Sequence, residues 1–263
     1  DAILKDASVP EKLKNKNRII HKNTTRLKRL IDELMDFRKL QFNKIPLHVS
    51  EFNIKTLVTE ILAYFHEEAN QRNIVLSLEI RKDLKPIWAD KNKLEKIIFN
   101  ILSNAFKSTS NNGIITLHVS IKKEYNFKLI PNTSAEALEI SIEDTGKGIA
   151  ADDLEKIFDR FYQIKELNEQ YFGGTGIGLE VVSSFVNLHR GEIYVESEIG
   201  VGTKFRILIP IRVEHYDSTD RIEFSYGNAK FTNQIQEAAP AIELENDTNK
   251  KTLLIVEDNL ELR

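Results

Sequence analysis

The 263-residue chain contains no cysteine, which excludes a disulfide framework and a thiolate metal site and fits a reducing compartment. It also lacks any apolar run approaching the roughly 20 residues that cross a bilayer. Its first residues, Asp1-Ala-Ile-Leu-Lys, do not have the pattern of a signal peptide. There is no dense basic patch and the net charge is −3, so nucleic acid is not expected as a main partner. No repeat at a fixed period stands out. What is present is 41% hydrophobic and 29% charged residues, the balance of a soluble globular chain long enough for a sizeable core and additional segments.

Residues 1–14 are mixed in character. From Asn15 to Asn43 neither proline nor glycine interrupts a helical pattern. Ile20, Leu27 and Leu34 recur every seven residues, as do Asn23, Leu30 and Phe37, which makes an a/d seam with Lys and Arg around it. That seam suits either an amphipathic surface helix or one helix of a dimeric bundle. Pro46 closes it, and Val49–Asn53 reads as a short connecting strand. Asn53 is placed to cap a helix from Ile54 to about Gln71, whose Leu57, Ile61, Leu62 and Phe65 recur at core spacing. Ile74–Ile80 alternates as a strand, and Asp90 is placed to cap a helix over Lys91–Lys107. Gly113–Lys122 and Leu138–Ile142 read as strands joined by a polar loop, Leu179–His189 as a helix, and Glu192–Glu196 with Thr203–Ile209 as a terminal hairpin turning at Gly200 and Gly202.

Chemistry gathers at a few places along this frame. Asn100, Asn104 and Lys107 lie at i, i+4 and i+7, on one helix face, while Leu94, Ile97, Ile98, Ile101 and Leu102 face inward. An amide oxygen is a hard neutral ligand suited to Mg2+, and a lysine one turn on can meet a phosphate. Asp144-Thr-Gly-Lys-Gly-Ile149 follows a strand, with one carboxylate to accept from an exocyclic amine and with Gly146 and Gly148 to let the backbone approach a flat ligand. Alone, this pattern also occurs in ordinary turns. Phe158, Phe161 and Tyr162 read as core aromatics. Residues 163–175 are polar and poorly periodic, as in loops that close over ligands. Gly174, Gly176 and Gly178 open a helix, where backbone N–H groups favour anions.

In this order the stretches Asn100–Lys107, Asp144–Ile149, Phe158–Tyr162, Gly173–Leu179 and Gly200–Thr203 resemble the N, G1, F, G2 and G3 boxes of the histidine-kinase branch of the GHKL ATPases. The resemblance implies an α/β two-layer sandwich of Bergerat type, a mixed sheet with helices on one face, preceded by a long dimerisation helix. It implies ATP and Mg2+ as cofactors, with Asp144 on the adenine amine, Asn104 on Mg2+, Asn100 and Lys107 supporting the phosphates, and Gly174, Gly176 and Gly178 cradling them. Gly146, Gly148, Ile149, Phe158, Tyr162, Thr175 and Leu179 would complete the ATP site, and Thr203 would reach the adenine through water. Phe158, Phe161 and Tyr162 would pack the base of a lid over 163–175. Ile20–Arg38 looks like the second helix of a dimerisation domain, and Lys251–Asn259 like the first strand of a receiver domain. The expected organisation is a partial dimerisation segment over 1–45, an ATP-binding domain over 46–212, a linker over 213–250 and the start of a receiver over 251–263. The implied partners are a second copy, through the bundle, and a receiver in cis. The implied setting is the cytoplasmic side of a bacterial inner membrane, reached through segments outside this chain.

Rival readings weaken on inspection. No Gly-x-x-x-x-Gly-Lys-Ser/Thr stretch is present, which excludes a P-loop. Gly146–Ala151 satisfies a loose Gly-x-Gly-x-x-Ala, but the polar stretch after Phe161 does not supply the βαβ unit of a dinucleotide fold. Gyrase-like and chaperone ATPases carry a catalytic acid one turn before the Mg-binding residue, and that slot here is Asn100. The six histidines are His21, His48, His66, His118, His189 and His215, and none has the acid–base–Thr–Pro sequel of a phosphorylated histidine. The expectation is therefore a piece of a longer hybrid kinase whose phosphoacceptor lies outside this chain. The alternative is a nucleotide-binding or dimerising scaffold that has lost transfer.

Overall fold

The computed structural model describes residues 46–81, 84–130, 134–164, 176–217 and 220, together with Leu13, Thr24, Ile31, Met35 and Arg38 as isolated helical positions. Every residue of the seam expected within Asn15–Asn43 lies outside the described residues, as do Gly174, Thr175, most of the expected lid, and residues 221–263.

The ordered elements are β1 (Ser50–Phe52), α1 (Ile54–Arg72), β2 (Val75–Ile80), β3 (Ile87–Ala89), α2 (Lys91–Ser108), β4 (Ile114–Tyr125), β5 (Ala135–Asp144), α3 (Ala151–Leu154), α4 (Gly178–Leu188), β6 (Glu192–Glu198) and β7 (Gly202–Pro210). Single 3-10 turns occupy Lys156–Phe158 and Val213–His215. Five strands form one sheet in the order β2-β4-β5-β7-β6, and β1 pairs with β3 in a small antiparallel sheet. Only β2 runs parallel to its neighbour, β4, and the other pairs of the large sheet are antiparallel.

Strand alternation sets which face the helices cover. Ile115, Leu117 and Val119 of β4, Leu138, Ile140 and Ile142 of β5, and Phe205, Ile207 and Ile209 of β7 share one buried cluster with the apolar stripes of α1, α2 and α4. The opposite face carries the ion pairs Lys122–Glu139 and Lys204–Glu143 and a contact of His118 Nδ1 with Glu79 at 3.1 Å. At one end of that face Phe127, Ala135, Ala137 and Leu208 form a second small cluster. Helices on one side and charge on the other make the two-layer mixed-sheet architecture that the motifs led us to expect.

The helix ends are satisfied locally. The Asn53 side chain accepts from the Lys55 and Thr56 N–H groups at the start of α1. That helix ends at Asn73 in the left-handed region, with φ 52°, a conformation asparagine tolerates well. Asp90 caps α2 by accepting from the Lys93 N–H at 3.0 Å. The guanidinium of Arg72 donates to the carbonyls of Phe106 and Thr109, filling two acceptors at the C-terminal end of α2 and fixing it against α1. This contact holds the turn of α2 that carries Lys107 and Ser108.

Candidate nucleotide site

Helix α2 is the spine of the site. Its apolar residues Leu94, Ile97, Ile98, Ile101 and Leu102 are wholly buried, so the Asn100–Asn104–Lys107 face is left at the other side. Asn100 is itself buried, and its Nδ2 donates to the Lys96 carbonyl at 3.0 Å. Its Oδ1 faces the start of α4, because a Cβ added at Gly178 would lie 3.1 Å from that oxygen. A side chain at Gly178 would therefore press on Asn100. Asn104 is half-buried and Lys107 exposed one turn further on.

The other end of the site forms where β5 stops. Asp144 is buried at the end of β5, paired in register with Thr203 of β7. Its Oδ1 accepts from the Gly146 N–H at 2.8 Å and from the Ser108 hydroxyl at 3.2 Å. Burial pushes its pKa up, opposed by hydrogen bonds from Gly146, Ser108 and the Thr203 backbone, with the Glu143 charge adding to the rise. A Cβ at Gly146 would stand 2.6 Å from Asp144 Oδ1 and 2.7 Å from Ser108 Oγ, so only glycine lets the chain pass there. The next turn is fixed to the β6–β7 hairpin. Ile149 N–H donates to Ser197 Oγ, which also meets Thr203 Oγ1, both at 2.8 Å. Gly148, at φ +74°, packs its Cα against the Glu198 carbonyl.

Of the sequence-assigned site residues, Asp144, Gly146, Gly148, Ile149 and Thr203 thus converge at the sheet end with Ser108. Asn100 and Gly178 meet about two turns back along α2, with Asn104 between. Leu179 and Phe158 pack at the edge of the main core, and Phe158 meets Phe205 edge-on with centroids 6.5 Å apart. Tyr162 donates to Asp153 Oδ1 at 2.5 Å, which raises its phenol pKa. Phe161 departs from the expectation of a core aromatic: it is 62% exposed and has φ +61°. The reason is a backbone constraint. Phe161 N–H donates to the Gly176 carbonyl at 2.9 Å, and Gly176, at φ +69°, lies directly against the Phe161 backbone. Phe161 and Gly176, on either side of residues 165–175, are therefore joined, and Arg160 adds an ion pair to Glu180 at 3.5 Å. Ser108 and Ser197 escaped the sequence reading. Each bonds across long sequence separations, and neither has a local signature.

The donor set fits a nucleotide-borne Mg2+. Among the described residues no group of three His, Cys, Asp or Glu side chains is arranged to hold a metal by itself. The amide face of α2 offers hard neutral oxygen ligands, which suit an ion that retains water and phosphate oxygens.

A mixed sheet backed by helices, with a carboxylate and glycines at one strand end and an amide face on the neighbouring helix, defines an ATPase-type domain. Residues 89–213 match the family described as histidine kinase-, DNA gyrase B-, and HSP90-like ATPase. Histidine kinase P4 of Formosa agariphila is 32% identical over 272 residues, covering 99% of this chain and 19% of that protein. Sensor histidine kinase TmoS of Ectopseudomonas mendocina is 31% identical over 254 residues, covering 93% of this chain and 25% of that protein. The chain thus spans a fifth to a quarter of these relatives. The solved catalytic domain of histidine kinase ThkA superposes with TM-score 0.52 at 25% identity, covering 64% of this chain and 99% of that one. Full-length ShkA in complex with AMPPNP gives TM-score 0.60 at 23% identity, covering 80% of this chain and 41% of that one, a likeness of fold. Residues 89–213 thus form a domain of this ATPase family, and the relatives that match nearly all of the chain are histidine kinases.

Proposed function

We propose that this chain is the ATP-binding catalytic part of a hybrid sensor kinase, and that it holds MgATP along α2 with the base at Asp144 and the phosphates toward Asn100, Asn104 and the start of α4. The observation that carries this reading is the position of Asp144. It is a buried carboxylate at a strand end, flanked by a glycine turn, with its Oδ1 held by two donors. Eight residues of helix, about 12 Å, separate Ser108 at that end from Asn100 at the other. Asn104 would hold Mg2+ through its amide oxygen, and the ion would neutralise charge on the phosphates. Lys107 would add a point charge, and Gly174, Thr175 and Gly176 would supply backbone N–H groups.

In the reaction the β–γ P–O bond breaks and a phosphorus–nitrogen bond forms to a histidine outside this chain, with ADP leaving. The phosphoryl then passes to an aspartate of a receiver. What the residues here contribute is position and charge complementarity, the main sources of catalysis in phosphoryl transfer. Dimerisation through a helical bundle and a receiver in cis complete the proposal. Among the described residues no helix is long and apolar enough to cross a membrane, so membrane attachment would come from elsewhere in the protein.

Calorimetric titration with ATP, with and without Mg2+, tests this directly. Binding strengthened by Mg2+ is expected, and Asp144→Ala should weaken it by about a hundredfold, the scale of a lost charge-assisted hydrogen bond in a buried site. Absence of binding in both conditions overturns the reading, and unchanged affinity in Asp144→Ala overturns the base assignment.

A further inference from the structure

Ser108 is the last residue of α2 and has no role in the site as described from sequence. Its hydroxyl lies 3.1 Å from the Ala105 carbonyl and 3.2 Å from Asp144 Oδ1. One proton cannot serve both acceptors fully, and the ionised carboxylate is the stronger acceptor. The contact is built rather than incidental. Arg72 pins the end of α2 through the Phe106 and Thr109 carbonyls, and the Lys147 N–H donates to the Ser108 carbonyl at 3.3 Å. Gly146 has its Cα wedged between Ser108 and Asp144, where a Cβ would touch both. Helix end, strand end and glycine turn therefore meet at one carboxylate oxygen.

Two donors on Oδ1 have two consequences. They keep the carboxylate in one rotamer, and they favour its ionised form against the burial that opposes it. The hydroxyl, already committed to a carboxylate, is not available to donate to a keto oxygen on a base.

We propose that Ser108 is a positioning residue for base recognition, which with the Gly146 N–H holds Oδ1 of Asp144 so that Oδ2 meets an exocyclic amine and 6-amino purines are selected over 6-keto purines. The inference rests on the reading of this site as an ATP site. It goes beyond that reading in assigning selectivity to a residue on α2 rather than to Asp144 alone.

The test is titration of the unsubstituted chain, Ser108→Ala and Ser108→Thr with ATP and with ITP, from neutral to acid pH, with thermal melting of each to establish folding. The charged group acting on Asp144 among the described residues is Glu143, present in all three proteins, so it does not contribute to differences between them. Ser108→Ala should weaken ATP binding by about tenfold. It should narrow the ATP-over-ITP ratio by a similar factor and move the acid loss of ATP binding to higher pH. Ser108→Thr, which keeps the hydroxyl, should restore the ratio and the pH profile. A folded Ser108→Ala protein with the ATP affinity, base ratio and pH profile of the unsubstituted chain overturns the inference alone. So does failure of Ser108→Thr, when folded, to restore them, since that pattern belongs to packing. No ATP binding by the unsubstituted chain overturns the ATP reading and this inference with it.

Discussion

His189 shows how one buried residue ties the site helices to the rest of the domain. It caps α4 at its C-terminal end and is fully buried. Its Nδ1 lies 2.7 Å from the Phe185 carbonyl and its Nε2 3.1 Å from the Asp90 N–H, so the neutral tautomer with its proton on Nδ1 satisfies both. Burial pushes its pKa down from 6.5 to about 4. The fold thus favours the neutral form. The stability this contributes is complete above about pH 6.5 and is lost as pH falls toward 4, amounting to about 3 kcal/mol. Asp90 adds to the loss at still lower pH. Burial raises its pKa, but hydrogen bonds from Lys93 and the His48 N–H outweigh that and hold it below 3.8. Denaturation free energy measured against pH should therefore fall steeply between 6.5 and 4, and in His189→Gln that limb should flatten. An equally steep limb in the variant would assign the proton uptake to other groups. The capping role of Asp90 was readable in the sequence because a cap is a local pattern. Its partnership with His189 was not, because 99 residues separate them.

At the level of elements, the helices and the strands were legible, and the order in which the strands pair was not. Helical spacing and flanking caps locate α1 and α2 to within a residue or so of the structure, since both signals are short-range. β5 begins at Ala135, three residues before the alternating run at Leu138–Ile142, because Ala135 and Ala137 are buried under the 126–130 loop beside Leu208. The strand order and the single parallel pair likewise depend on partners distant in sequence. The 146–149 turn is a case where an element contact, not a side chain, fixes the residue. Gly148 has φ +74°, and a Cβ there would lie 2.0 Å from the Glu198 carbonyl, while Gly200 N–H donates to the Lys147 carbonyl across the same junction. Gly200 has φ +79° with nothing within 4 Å of an added Cβ. Gly200→Ala should therefore cost only the left-handed backbone term, about 1 kcal/mol. Gly148→Ala must also separate the turn from the hairpin, and should cost at least about 2 kcal/mol more, with weakened ATP binding. Urea denaturation of the two variants decides this, and equal losses would show that the turn–hairpin contact is not tight.

For the domain as a whole, the packed site end is matched by a closure at the opposite end of the sheet, where incoming and outgoing chain meet. Residues 213–217, part of the stretch read from its polar composition as linker, fold back onto the domain. Tyr216 is 2% exposed and packs with Leu47 and Val49, beside Trp88 and Leu188. Its hydroxyl donates to the Pro210 carbonyl at 2.6 Å, and its phenol pKa is raised by burial. Arg190 donates to the His215 carbonyl and to Asp217, each at 2.7 Å. The Val49 N–H donates to the Asp220 carbonyl at 2.7 Å, and the Trp88 N–H to the Ile211 carbonyl at 3.1 Å. One aromatic among scattered polar residues gives no periodic signal, so the sequence offered no reason to fold this segment back. Because Leu47 and Val49 have few other partners in their small cluster, removing the ring leaves them facing water. Tyr216→Ala should lower the unfolding free energy by about 3 kcal/mol, as for other buried aromatics. Hydrogen exchange separates a local clasp from a general loss of stability. Faster exchange at Val49 and Trp88, with the amides of α2 still slow at low denaturant, is the result expected of a clasp. Uniform acceleration across α2 and the sheet would mean that Tyr216 belongs to the main cooperative core, and the segment would then be no separate closure.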